Sequence, residues 1–176
     1  LSRDEGKLID LKQKYPESFN IWKSIKFFPV WLDCLQPNKT PLADERPWIT
    51  FASIEFLENT LTKEMKVFEY GVGGSTAFFL KRVNEVISVE HDPEWLEKVS
   101  EKILENGYKH WKFYLEPPTE DELAIQKSPS DPYSYVSSDE NFRDKSFKNY
   151  VRTIDQYPDE YFDIILIDGR ARPSCF

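Results

Sequence analysis

Apolar and polar positions change period along this chain, and the changes mark out elements. The patterning is strongest between Trp48 and Leu115. Ile54, Leu57 and Leu61 recur at helical spacing behind Thr50, whose hydroxyl suits an N-cap, so a helix is predicted over residues 51–62. Residues 65–70 (MKVFEY) read as a short strand that stops at glycines. A helix over 75–83 follows, with Phe78, Phe79 and Leu80 inward, and then a second strand over 86–90 (VISVE). Asp92 and Pro93 supply an N-cap and a first-turn proline. The helix they open carries Trp95, Leu96, Val99 and Ile103 as its apolar stripe and runs to about residue 106, where Gly107 ends it. Residues 111–115 read as a third strand, 142–156 as a helix and 162–167 (FDIILI) as a fourth strand. The last is a nearly continuous apolar run, as expected of a strand buried on both faces. Strand–helix–strand units in succession imply parallel pairing with right-handed crossovers, which is the α/β class.

The flanking stretches have a different texture. Residues 1–47 mix short apolar clusters with Pro16, Pro29, Pro37, Pro41 and Pro47, and read as short helices, 16–28 foremost, joined by irregular turns. Phe27, Phe28 and Trp31 are expected to pack as core or cover rather than to form a ligand box. Residues 117–141 hold four prolines and five serines and read as a long loop or lid. Tyr133-Ser134-Tyr135 within it either stacks on a flat acceptor or belongs to a disordered stretch. The division expected is a cover segment, 1–47, and a ligand-binding domain, 48–176.

Composition narrows the partners. With 23 Lys+Arg against 31 Asp+Glu the net charge is −8, which disfavours a polyanion-binding surface and so a DNA or RNA partner. No apolar run approaches the roughly 20 residues of a membrane span. The charged start, LSRDEGK, is followed by no apolar segment of the kind found in secretory signals. Cys34 and Cys175 are too few for a disulfide scaffold or a zinc knuckle and fit a reducing, cytoplasmic setting. The 5 Trp, 9 Tyr and 13 Phe supply ample core and exclude a wholly disordered chain.

Candidate chemistry gathers after the first strand. Gly71, Gly73 and Gly74 lie in FEYGVGGST (68–76), where glycine allows positive φ and close ligand approach. The helix N-terminus near Ser75 and Thr76 offers unpaired N–H groups, at the strand end where open α/β sheets bind ligands. Glu90 ends the second strand 19 residues after Gly71, and an acid there can accept both hydroxyls of a nucleoside ribose. A dinucleotide or S-adenosylmethionine (SAM) satisfies these two features. The dinucleotide fingerprint wants glycine where Thr76 stands, and Glu69 would repel a pyrophosphate while suiting a methionine ammonium. The sign of that charge favours SAM.

VFEYGVGGST (67–76), ISVEHD (87–92) and FDIILIDGR (162–170) together resemble the motifs of the class I SAM-dependent methyltransferases, over roughly residues 48–175. The resemblance implies a Rossmann-like parallel sheet flanked by helices. It would assign Glu69 to the methionine amino group, directly or through water, and place Gly71 and Gly73 under the cofactor. Ser75 and Thr76 would cap the helix beside the methionine carboxylate. Glu90 would hold the ribose diol, with His91 and Asp92 beside the adenine and Glu116 as the polar adenine contact. Asp168 would stand near the methyl group as the catalytic acid or base. The family's sheet usually has seven strands ordered 3-2-1-4-5-7-6, whereas this sequence stops just after the fourth at Phe176, which reads as a fragment.

The reaction expected is in-line methyl transfer to a small-molecule acceptor, with oxygen favoured by analogy and S-adenosylhomocysteine (SAH) as product. No metal is expected, since Asp168 alone cannot satisfy a hard cation. Arg170 and Arg172 after it form either a clamp on an anionic substrate or pairs with the chain's own acids. Cys175 reads as a small hydrophobe rather than a nucleophile. The competing functions are a SAM- or nucleotide-binding module without catalysis and an NAD-dependent oxidoreductase.

Overall fold

The structure, a computed structural model, describes residues 21–37 and 39–176. A division between Thr40 and Pro41 separates two compact units. Within the first, helix α1 (Ile21–Cys34) overlaps the end of the expected 16–28 helix, whose start lies outside the described residues. Phe28 and Trp31 stand 5.7 Å apart on it and are 52% and 46% exposed among the described residues.

The second unit carries the predicted alternation. Helix α2 (Phe51–Thr60) starts at Thr50, whose side chain accepts from the Ser53 N–H at 3.2 Å. Strand β1 (Lys66–Tyr70), helix α3 (Gly74–Leu80), strand β2 (Glu85–Glu90) and helix α4 (Pro93–Glu105) follow. Strands β3 (Trp111–Leu115) and β6 (Ile164–Ile167) complete a four-stranded sheet in the order β3-β2-β1-β6, parallel at all three interfaces. That is the 3-2-1-4 portion of the expected order.

Strand alternation feeds two core clusters, one on each sheet face. Val67 and Val86 pack with Phe78, Phe79, Leu96 and Val99 of α3 and α4. Phe68, Tyr70, Ile87 and Val89 pack with Phe147, Tyr150 and Val151. Register aligns Tyr70 with Ile167 and Val89, so the carboxyl ends of β1, β2 and β6 meet at one edge. The loops after these three strands therefore share one crevice.

Two expectations, the helix over 142–156 and the cover of the last strand, need correction. The helix over 142–156 is broken: Glu140–Phe142 is a single 3-10 turn, Lys145–Ser146 forms strand β5, and only Lys148–Arg152 is α-helical (α5). β5 pairs antiparallel with β4 (Thr119–Glu120), and the fully buried Phe147 donates its N–H to Tyr135 O at 2.7 Å. Those tertiary bonds outbid local helical ones. The 117–141 segment is consequently an anchored loop, with Ala124, Ser134, Val136 and Ser137 buried beneath it and Tyr133 83% exposed. Finally, β6 pairs only with β1 among the described residues, and Ile165 is 48% exposed rather than covered.

Residues 41–46 form a turn that lies on the start of α3. Arg46 N donates to Pro41 O at 3.0 Å, and both carbonyls crowd the Cα of Gly74 so closely that any Cβ there would collide with backbone. Glu45 adds an ion pair to Lys81 and accepts from Asn106 Nδ2 at 2.8 Å. Gly74 thus serves packing, whereas Gly71 serves the turn itself.

Candidate functional site

The glycine loop leaves β1 at Gly71, whose φ of +92° is a conformation that L side chains rarely adopt. Its Cα side also faces Gly169, and a Cβ would come within 3.3 Å of the Gly169 Cα. Gly73 is in extended backbone and donates its N–H to Thr76 Oγ1 at 3.0 Å. Beyond the loop lies a cavity of about 560 Å³ at the carboxyl edge of the sheet. Gly71, Val72, Ser75, Glu90, His91 and Asp92 line one side of it, and Asp168, Gly169, Arg170 and Arg172 the other.

Glu90 is 3% exposed and faces this cavity. Its Oε2 accepts the Val72 N–H at 3.0 Å, while Oε1 accepts those of His91 at 2.7 Å and Asp92 at 3.0 Å. Burial pushes its pKa up, but these hydrogen bonds and the neighbouring His91 ring outweigh it and hold the carboxyl below its ordinary value. The group therefore stays anionic, and Oε2 keeps capacity for a ligand hydroxyl beside its single amide bond. His91 Nδ1 lies 2.5 Å from Oε1, close enough for an ion pair when the ring is protonated but without a good hydrogen-bond alignment. The ring itself packs against Phe142 and Phe147 at 5.4 and 5.7 Å. Asp92 lines the cavity while capping α4, accepting from Glu94 N at 3.0 Å and Trp95 N at 3.1 Å.

Glu69, expected at a methionine amino group directly or through water, lies beneath the loop. It is fully buried and does not line the cavity. Three hydroxyls donate to it: Thr76 at 2.5 Å and Ser88 at 2.7 Å to Oε1, and Ser75 at 2.9 Å to Oε2. Ser88 in turn accepts from Trp111 Nε1 at 2.9 Å. Burial pushes the Glu69 pKa up to about 7 against the pull of those hydroxyls. A buried acid so engaged fixes the start of α3 from below and leaves no direct face for a ligand ammonium. Thr76 is buried with it, so of the two hydroxyl residues only Ser75 reaches the cavity. Glu116 also stays outside the cavity wall; its N–H continues the sheet by donating to Glu90 O at 2.7 Å.

Across the crevice, Asp168 follows β6. Burial raises its carboxyl pKa and the Arg172 guanidinium opposes the shift. Arg172 donates from Nη2 to Asp168 Oδ1 at 2.9 Å and from Nε to Gly169 O at 3.1 Å. Arg170 pairs through Nη1 with Asp139 Oδ2 at 2.7 Å and stands over the Phe142 ring at 5.4 Å. Both arginines thus contact the chain's own acids. Cys175 is partly buried with its thiol pushed up to about 12 by burial, a state without nucleophilic thiolate at neutral pH.

Sequence reasoning missed four wall residues. Trp95 stood only as part of the α4 stripe, yet its Nε1 donates to Val72 O at 2.7 Å and its ring borders the cavity. Asp139, Asn141 and Phe142 arrive from the irregular segment, and no local pattern signals it. Among the described residues no group of three His, Cys, Asp or Glu is placed to hold a metal ion, and no helix is long and apolar enough to cross a membrane.

Several solved structures resemble the chain. A methyltransferase-like protein from Silicibacter pomeroyi shares 21% identity over 74% of this chain and 64% of its own, with a TM-score of 0.52. An rRNA methylase from Streptococcus thermophilus shares 25% over 38% of this chain and 41% of its own, at a TM-score of 0.35. The YcgJ protein from Bacillus subtilis shares 19% over 65% and 36%, at 0.37. The chain thus spans between 36% and 64% of the length of these three proteins. No protein-family model matches the sequence, and a search of curated proteins finds no match. Sheet order and the Silicibacter likeness together give the fold: a Rossmann-like parallel sheet of the class I methyltransferase type.

Proposed function

We propose that this fold serves SAM-dependent methyl transfer to a small-molecule acceptor, with oxygen as the favoured acceptor atom. The observation that carries the reading is Glu90, an anionic carboxylate held in place by three backbone N–H groups at the carboxyl edge of a parallel sheet. A cavity of about 560 Å³ lies within the range of small-molecule and cofactor sites, roughly 300–1,000 Å³. Glu90, Asp92, Asp139 and Asp168 on its walls suit a ligand that carries positive charge. The chemistry of the donor set therefore fits SAM. The net charge of −8 supports a small acceptor rather than a nucleic acid, and the unpaired Cys34 and Cys175 fit a cytoplasmic setting.

SAM when bound supplies an electrophilic methyl group on a sulfonium. The chain's own residues have simpler tasks. Glu90 binds the ribose hydroxyls through Oε2. Asp92 and the Trp95 ring close the same side, while Gly71 and Val72 form the floor. Glu69 acts at one remove, holding Ser75 and Thr76 so that the first turn of α3 keeps its place. Asp168 is the group positioned to take a proton from a hydroxyl acceptor, a role that its raised pKa suits. Closure of the crevice around both ligands supplies alignment, for which effective-molarity arguments allow up to about 7–11 kcal/mol.

Isothermal titration with SAH tests the reading. Micromolar affinity is expected, with a loss of at least tenfold in Glu90→Gln, which keeps the size of the side chain and removes its charge. NADH is expected to give no heat. Absence of SAH binding in folded protein, or binding indifferent to Glu90→Gln, refutes the proposal. SAH binding without transfer of label from methyl-labelled SAM to any acceptor points to a binding module instead.

A further inference from the structure

A second cavity, of about 470 Å³, adjoins the first. The two share Gly169, Arg170 and Arg172, so the turn after β6 is the partition between them. Their charges differ in kind. The first is walled by four carboxylates as well as the two arginines. Among the described residues that line the second there is no carboxylate at all: its charged groups are Arg170 and Arg172, and its other polar side chains are Ser130, Ser137 and Ser138. The carboxylates that pair with both arginines, Asp139 and Asp168, line the first cavity and not the second.

The arginines retain the means to hold a ligand. A guanidinium has five N–H groups. Arg172 spends Nε and Nη2 on Gly169 O, Asp168 O and Asp168 Oδ1, which leaves Nη1. Arg170 commits Nη1 to Asp139. Between the two stands Ala171, 4% exposed and in the left-handed region at φ 47°. This conformation is costly for a residue with a Cβ and persists only where its surroundings enforce it, here through Ser174 N donating to Ala171 O at 2.9 Å. Tyr135, at φ 57°, ties the opposite wall to the same turn by donating its N–H to Ser174 Oγ at 3.1 Å. The partition is therefore braced from both sides.

We propose that the second cavity holds the anionic end of a small-molecule acceptor whose reacting atom reaches past the turn to Asp168 in the first, gripped at a carboxylate or phosphate by Arg170 and Arg172 and at further polar groups by Ser137 and Ser138. The inference rests on the methyltransferase reading for the word acceptor, but the anion site itself does not depend on it. The acid–arginine pairs hold the two guanidiniums in place before the ligand arrives, which reduces the ordering cost of binding.

The test is a titration of isotopically labelled full chain, followed by amide and arginine side-chain NMR at constant ionic strength. Sodium malonate is the carboxylate probe and inorganic phosphate the phosphate probe, each with and without SAH. Saturable shifts at Ser137, Ser138 and the Arg170 and Arg172 Nε–H groups are expected from at least one probe, and whichever probe saturates identifies the anion. Arg170→Gln and Arg172→Gln are each expected to weaken binding at least tenfold. Ser138→Glu, at an exposed position that tolerates substitution, is expected to do the same by repulsion, so the test survives an arginine variant that fails to fold. Shifts that never saturate, that map elsewhere, or that ignore Ser138→Glu overturn the proposal. Anion binding without SAH binding sinks only the methyltransferase reading, whereas SAH binding without anion binding sinks only this one.

Discussion

Replacing Glu69 by glutamine offers a sharp test of how the site is held. The folded chain holds this carboxyl at a pKa of about 7, against an ordinary 4.5, because burial outweighs the hydroxyls that donate to it. Between those values the folded protein keeps a proton that the unfolded chain releases. The associated stability is fully present below pH 4.5 and is lost as pH rises through about 7. Integration over pH 5 to 8 gives a loss of about 2–3 kcal/mol from this one group. Glutamine fits the same space. Its carbonyl can accept from Thr76 and Ser88 as Oε1 does, and its amide can donate to a rotated Ser75 hydroxyl where Oε2 now accepts. Its neutrality removes the titration. Urea unfolding of both proteins at pH 5, 6, 7 and 8 reads the difference, since every other acid cancels. Stability of Glu69→Gln relative to wild type should rise by about 2–3 kcal/mol across the series. A difference flat to within about 0.5 kcal/mol, or one that falls with pH, would show that Glu69 ionises normally and that the burial argument is wrong.

Two glycine positions give independent checks. Gly169→Ala drives a methyl group into the Tyr150 hydroxyl and to 3.0 Å from Tyr70 O, so a loss of about 1–3 kcal/mol is expected in urea unfolding, partly recovered by adding Tyr150→Phe. Equal loss with and without Tyr150→Phe would show that the clash is not with the hydroxyl. Gly74→Ala meets the unyielding Pro41 and Arg46 carbonyls, and is expected to lose at least as much stability and to expose the 41–46 turn to protease. A neutral result would mean that this turn does not rest on α3.

Much of the architecture was legible because local signals and tertiary needs agreed. Thr50 and Asp92 cap the helices they were expected to cap, and the strands ended at the glycine loop, at Glu90 and before Asp168 as the apolar pattern required. Glu90, Asp92 and Asp168 reach one cavity because parallel pairing brings successive strand ends together. The illegible parts depend on residues distant in sequence. Asp139 meets Arg170 through a fold of the irregular segment, and the helical pattern of 142–156 yields to the pairing of Lys145–Ser146 with Thr119–Glu120. Glu69 showed its charge in the sequence but not its burial. Its charge was weighed without the hydroxyls of Ser75, Thr76 and Ser88, which lie 6, 7 and 19 positions on and converge only when β1, β2 and α3 assemble.

The contact between Gly71 and Gly169 has a thermodynamic consequence. Two backbones so close that a single Cβ would crowd them form one mechanical unit, with the cofactor loop on one side and the arginine turn on the other. A ligand that moves the turn after β6 is expected to disturb the loop after β1, and the reverse. Linkage requires that any change the first ligand makes in the affinity for the second be returned by the same factor. If both proposed ligands bind, any coupling between them has a short route open to it, a glycine–glycine approach with no side chain between the two turns.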